Sequence, residues 1–525
     1  MISAAPRQRP NVLFIITDQH RADHVGFGGN GVVRTPHLDA LAARSTVFDR
    51  AYVANPVCMP NRSSIMTGRM PSAHGVIFND RSLSPDATTF VGQLRDNGYR
   101  TALIGKSHLQ HGMSREAVVD LPGDPALRTP WAEGWDTIEH RERYESGDTP
   151  DPEDFYGFEH IELTLGHGAL SGGHHYQWAL DRGATHEQLV SGGQYDSDVP
   201  RRSPLWWQIH EASLPSEAYS TTFVTERTID FIEHAASADD DEPWMVWCSF
   251  PDPHHPLSPP SRWLDRHHPD DMVLPATFDD PGEGWPPHLK FLRDLQPDDH
   301  DFVRPWGPTP EQARAALAAT YGMIEFVDDG VGRILATLDR LDLADDTIVI
   351  FTSDHGDMMG DHGLILKGVM HFQGCLRVPL AIHVPGNEPG RTDSLASSLD
   401  LAQTVLDLCE AGAYQGVQGH SLRPVLDDPT ASVRNTVLIE DDFPPVEGRG
   451  QLMPLKTRTV ISDLGRYTRY SNGFEQLFDL AVDPDELIDL TEHDRDPDRR
   501  AQAITQLADA LIGADDICRP EPVSL

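Results

Sequence analysis

A chain of 525 residues, 39% hydrophobic and 24% charged, has room for one large domain and a smaller one. Its net charge of -40 argues against a nucleic-acid or anionic-membrane partner, which would need a basic footprint, and requires any anion site to be locally positive. Five unclustered cysteines supply neither a disulfide framework nor a zinc spacing.

The opening "MISAAPRQRP" carries no apolar leader and "NVLFII" is too short to span a bilayer, so a cytoplasmic setting without a membrane partner is expected. "NVLFIIT" (11–17) is a continuous apolar run of the kind found in buried parallel strands, and "TALIG" (101–105), "WMVWCSF" (244–250), "TIVIFTS" (347–353) and "LAIHVPG" (380–386) read the same way. Helical patterns such as "HLDALAARS", "STTFVTERTIDFIEHAA" and "EQARAALAATYGMIEFVDDGVGRILATLDRL" lie between them. This alternation predicts an α/β fold with a mostly parallel sheet sandwiched by helices.

Two stretches, about 111–220 and 260–310, have weak periodicity and read as long loops inserted into the domain. Such loops are candidates for substrate walls or a subunit interface, and a homo-oligomer is expected. Past "GHSLRPVLDDP" the pattern changes to "NTVLIEDD", "LKTRTVISDL" and "GRYTRYSNG", then a last amphipathic helix near "RRAQAITQLADALI". The predicted organisation is a catalytic domain over 1–426 and an α+β subdomain over 427–525 bearing an antiparallel sheet.

The strand ends share one chemistry. "NVLFIIT" runs into Asp18-Gln19, "TIVIFTS" into Asp354-His355, "TALIG" into Lys106 and His108, and "WMVWCSF" into His254 and His255. Ligands of open α/β sheets bind outside the carboxyl ends of the strands, so these residues should converge on one pocket. Asp18, Gln19, Asp354 and His355 form a plausible set for one hard divalent ion, with the imidazole widening the choice from calcium towards manganese or zinc. There are too few carboxylates for two.

"NPVCMPNRSSIMTG" (55–68) places Cys58 just ahead of a predicted helix that contains Pro60 in its first turn and closes at Gly68. Free N–H groups and the helix dipole favour anions there, and Arg62 stands in the same turns. Only four of the 42 basic residues are lysines, and Lys106 and Lys367 are two of them.

The Cys-x-Pro-x-Arg pattern resembles the type I sulfatases of the alkaline phosphatase superfamily. So do "SSIMTGRMPSAHGV", "GYRTALIGKSHL", "PHHP" at His254, "SDHGDMMGDHGLILK", "RVPL" at Arg377, "GHSLRPVL" and "LFDLAVDPDELIDL", in order over about residues 10–490. The resemblance implies an alkaline-phosphatase-like fold and a Cys58 oxidised to formylglycine by a maturation enzyme. The hydrate of that aldehyde would ligate the metal, attack a small anionic ester and later expel the oxyanion by collapse. Lys106 and Lys367 resemble the lysines that neutralise the non-bridging oxygens. His254 resembles the histidine near the leaving-group oxygen, and His108 the one that takes a proton during collapse. Asn79 is a further candidate contact to the substrate oxyanion.

The implied activity is sulfate monoester hydrolysis of the arylsulfatase kind, with calcium or manganese as the one metal. Gln19 and His355 depart from the consecutive Asp residues and Asp-Asn pair of many sulfatases, and look more like the phosphonate monoester hydrolase and phosphodiesterase branch; Asp-His also occurs among choline-sulfatase-like members. A metal-dependent phosphomutase would use Ser or Thr and two metals, and a catalytically silent binding protein would not need the intact motif. Gln373-Gly374-Cys375, ahead of "RVPL", stands where many relatives carry an acidic residue.

Overall fold

The computed structural model describes residues 9–79, 81–112, 134–191, 199–238, 241–295, 306–443 and 455–515. Parts of both inserted stretches, 113–133, 192–198 and 296–305, lie outside the described residues.

Nine strands form the main sheet: β1 (Asn11–Thr17), β2 (Thr46–Tyr52), β3 (Arg100–Gly105), β4 (His160–His167), β5 (Leu170–Gly173), β6 (Trp244–Ser249), β7 (Thr347–Ser353), β8 (Leu380–His383) and β9 (Gly390–Ser397). Their spatial order is β5-β4-β3-β6-β1-β7-β8-β2-β9. The central strands β4, β3, β6, β1 and β7 run parallel, as does the β2–β9 pair. β1 is central, and both its faces are covered: Val12, Phe14 and Ile16 pack with Met59, Phe90 and Val405, while Leu13 and Ile15 pack with Phe223, Val327 and Val331. A strand buried on both faces must be apolar throughout, which is why "NVLFIIT" shows no alternation.

The long helix Pro310–Arg340 lies over the second face beside Ser220–Ser237. Its start is fixed by a capping box between Thr309 and Gln312 and by Pro310 in the first turn. Gly330 lets the two helices approach, since a Cβ there would lie 2.4 Å from Thr225 Oγ1.

Two expectations need correction. β8 is antiparallel to both its neighbours, β7 and β2. A parallel return needs a crossover element, and the 354–379 connection contains nothing longer than the four-residue helix Gln373–Leu376, so the chain re-enters from the same end of the sheet. The 111–220 stretch is not all loop: it contributes β4, β5 and the helix His174–Asp181. β4 and β5 form one edge of the sheet, and β4 is partly exposed, so its apolar signal is diluted by polar positions.

A separate antiparallel sheet, β10 (Val437–Phe443), β11 (Leu455–Ser462), β12 (Gly465–Tyr470) and β13 (Glu475–Phe478), follows. Val437, Ile439 and Ile461 join the main core, while Leu438, Val460, Tyr467 and Leu477 lie under Ala503 and Leu507 of the helix Pro497–Gly513. Alternation of period two places these two sets on opposite faces.

Candidate active site

Thr17 and Ser353 are register partners, so Asp18 and Asp354 leave adjacent strands side by side. Gly105 pairs with Ser249 at the same end of the sheet, and a Cβ on Gly105 would lie 1.9 Å from the Ser249 carbonyl oxygen. Glycine there lets β3 turn sharply, and Lys106 follows it into the site.

The helix Cys58–Thr67 begins at the cysteine, after Val57 in extended conformation, and ends at a left-handed Gly68. Two asparagines fix this start. Asn55 Oδ1 accepts from Val57 N at 2.8 Å, and Asn61 accepts from Ala54 N at 2.9 Å while donating to the Asp354 carbonyl at 2.5 Å. Arg62, fully buried, donates through Nε to Asp354 Oδ2 at 2.7 Å and through Nη1 to the Lys106 carbonyl at 3.0 Å and Ser249 Oγ at 2.9 Å. Its Nη2 has no hydrogen-bond partner and points into the cluster, 3.9 Å from Asp18 Oδ2.

Cys58 Sγ stands 3.1 Å from His355 Nε2, 3.4 Å from Lys367 Nζ and 3.7 Å from Asp18 Oδ1. Lys367 also donates to Gln19 Oε1 at 2.7 Å, while Lys106 pairs closely with Asp18. The predicted strand-end residues and the helix-start cysteine are therefore brought together. Asn79 is beside them, but its Oδ1 accepts from Met59 N at 3.1 Å and so caps the helix start. Of its side chain, only the Nδ2 donor is left to meet an oxyanion. His255 stacks on His254 with ring centroids 4.0 Å apart.

Sequence reasoning missed His167, at the end of β4. Its Nε2 is 2.5 Å from Lys106 Nζ and 3.4 Å from Asp18 Oδ2, and its ring stacks on His254 at 3.7 Å. The available signal was positional: it is a fifth strand end carrying a polar ligand-type residue.

Asp18, Cys58, Asp354 and His355 each bring a ligand atom within 4.8 Å of the others. His355 Nδ1 lies 2.8 Å from the Gly356 carbonyl, which can only accept, so the proton sits on Nδ1 and the Nε2 lone pair is free to ligate. This donor set fits a divalent cation. Asp18, His167 and His254 form a second such group, but the Lys106 ammonium already occupies it. Among the described residues, the first group is therefore the one left open to a cation.

The electrostatics follow from burial and three cations. Burial pushes Asp18 up, yet Lys106, His254, His167 and Lys367 outweigh it and hold the carboxyl well below its usual range. Burial pushes the Cys58 thiol up, helped by Asp18 and opposed by the two lysines. Burial drives His108 and His254 down, and cationic neighbours add to the effect: Lys106 for His108, Lys367 for His254.

Residues 10–411 match the family described as Sulfatase, and residues 360–512 the family described as N-sulphoglucosamine sulphohydrolase, C-terminal. The chain is 28% identical to an arylsulfatase of Clostridium perfringens over 491 residues, covering 92% of this chain and 90% of that one. It is 27% identical to a choline-sulfatase of Rhizobium meliloti over 497 residues, covering 93% and 84%. The fold superposes on the phosphonate monoester hydrolase of Agrobacterium radiobacter with a TM-score of 0.75 at 24% identity, over 96% of both chains. With its site built at the strand ends and its motif seated at a helix start, the chain belongs to the sulfatase family.

Proposed function

We propose that this chain hydrolyses sulfate monoesters of the arylsulfatase kind. The observation that carries the reading is Cys58 at a helix start with Lys367 on its sulfur and Lys106 and Arg62 on the Asp18 and Asp354 carboxylates beside it, three cations to two carboxylates in a chain of net charge -40. Asp18, Gln19, Asp354 and His355 hold one divalent ion, calcium or manganese, together with the side chain at position 58. Formylglycine at that position would supply a hydrated aldehyde as nucleophile, and a bound metal would supply Lewis acidity there.

The chain's own residues do the rest. Lys367, on the Cys58 sulfur, and Lys106, on the neighbouring Asp18, neutralise the non-bridging oxygens of the tetrahedral group. His254 Nδ1 lies 2.5 Å from the His255 carbonyl and must carry a proton, so Nε2 of the neutral ring is an acceptor. Donation to a leaving oxygen then requires the imidazolium. Burial is the main cause that keeps His254 neutral, with His167 and Lys367 adding to it; an anion beside Lys367 would oppose the cationic part and favour the imidazolium. His108 holds the proton removed when product is released.

Gln19 and His355, a neutral amide and an imidazole, favour a second reading: phosphonate monoesters and phosphodiesters as competing substrates. These share one shape and charge with sulfate esters. The relative named choline-sulfatase adds an alkyl sulfate as a third arm. The test is kcat/KM for matched 4-nitrophenyl sulfate, phenylphosphonate and phosphodiester, with choline sulfate alongside, on one matured, metal-loaded preparation. Sulfate ester in the lead supports the proposal. A phosphonate or diester ahead by about a hundredfold, roughly 2.7 kcal/mol of transition-state preference, overturns it.

A further inference from the structure

The Glu139 carboxylate is 3% exposed and accepts three consecutive backbone N–H groups from one turn: His108 N through Oε2, and Leu109 N and Gln110 N through Oε1, all at 2.9 Å. Consecutive N–H groups converging on one point make a concavity that selects an anion. That turn carries His108 at φ +59°, a left-handed conformation that costs a non-glycine residue about 1 kcal/mol. Such a conformation persists only where its surroundings hold it.

The surroundings here are the short segment 134–140. Besides Glu139, Ile138 N donates to Gln110 Oε1 at 3.0 Å and His111 Nε2 pairs with Asp136 at 2.9 Å. Tyr144 OH anchors the segment by donating to the Ile138 carbonyl at 3.0 Å, and Leu83 N binds the Leu109 carbonyl at 2.8 Å from the other side. The inserted stretch therefore reaches the site through the backbone of the His108 turn.

We propose that Glu139 is the positioning residue of His108: its buried carboxylate gathers the N–H groups of residues 108–110 and so fixes where that imidazole stands. Glutamine is nearly isosteric but replaces one acceptor oxygen by a donor, which must face an N–H and push the turn away. The proposal rests on the proton-holding role given to His108 under the proposed function, so the test separates the two.

The test uses full-length Glu139→Gln, His108→Ala and the double variant, with the ring signals of 15N-histidine-labelled protein recorded beside kinetics on 4-nitrophenyl sulfate. The His108 resonance, assigned by its loss in His108→Ala, should move in Glu139→Gln while that of buried His371 stays. kcat should fall about 10- to 100-fold with KM within about threefold, and Glu139→Gln should add nothing in the His108→Ala background. An unmoved resonance, or kcat losses that multiply, overturns the proposal. If His108→Ala alone leaves turnover intact, the role of His108 falls, and the resonance still decides the role of Glu139. Should Glu139→Gln fail to fold, Glu139→Asp keeps the charge, withdraws it by one methylene and is judged by the same outcomes.

Discussion

Cys58 Sγ lies 3.1 Å from His355 Nε2, joining a helix start to the end of a strand nearly 300 residues later in the chain. Each element alone has an ordinary explanation. Together they put the Cys58 thiol against an imidazole lone pair, the Asp18 carboxylate and the Lys367 ammonium, and that contact organises the site.

The metal set gives the first prediction. Asp18 touches the ion site on one side and Lys106 on the other, so Asp18→Ala removes a ligand and strands an ammonium. Metal analysis should find one divalent ion per chain in the parent protein and a large fall in the variant, with turnover lost. Two ions per chain would contradict the assignment of the second group to Lys106.

His254 gives the second. If it protonates the leaving oxygen, its loss matters most where the leaving group is a poor one. His254→Ala should therefore lower kcat/KM for an alkyl sulfate at least tenfold more than for 4-nitrophenyl sulfate. Equal losses on the two would remove this role.

The third concerns pH and lies away from the site. His288 is 5% exposed, its ring nitrogens make no hydrogen bond, and its ring packs edge-on against Tyr470 at 4.7 Å. Burial, then His371, pulls it down to about 3. The folded value is below the unfolded one of about 6.5, so the folded chain favours the neutral ring. That contribution is complete above pH 6.5 and is lost as pH falls towards 3, at about 1.4 kcal/mol per pH unit. His288→Phe should lose less stability than the parent between pH 7 and pH 4.5, with thermal melts narrowing by roughly 2–3 kcal/mol. Parallel pH dependence would show that His288 does not titrate this way.

Much of the fold and site was legible because it depends on local pattern. Asp18, Asp354, Lys106 and His254 follow apolar runs, and Cys58 precedes a helix whose Pro60 and Gly68 mark its ends. His167 was not legible because β4 is a partly exposed edge strand with a broken apolar pattern. Glu139 acts on backbone N–H groups, which leave no trace in side-chain identity. Gln373-Gly374-Cys375 had no reading until Arg21 was placed: a Cβ on Gly374 would lie 2.4 Å from Arg21 Nη1, so glycine makes room for a guanidinium paired with Asp23 and Asp361.

The measurement closest to the central claim is intact-peptide mass spectrometry across Asn55–Arg69, with sulfate ester turnover per chain measured on the same samples. Preparations made with and without a maturation enzyme should show formylglycine at position 58 in proportion to their turnover, and Cys58→Ala should fold yet be inactive. Full turnover from a preparation whose peptide carries only the thiol would contradict the chemistry assigned to this site.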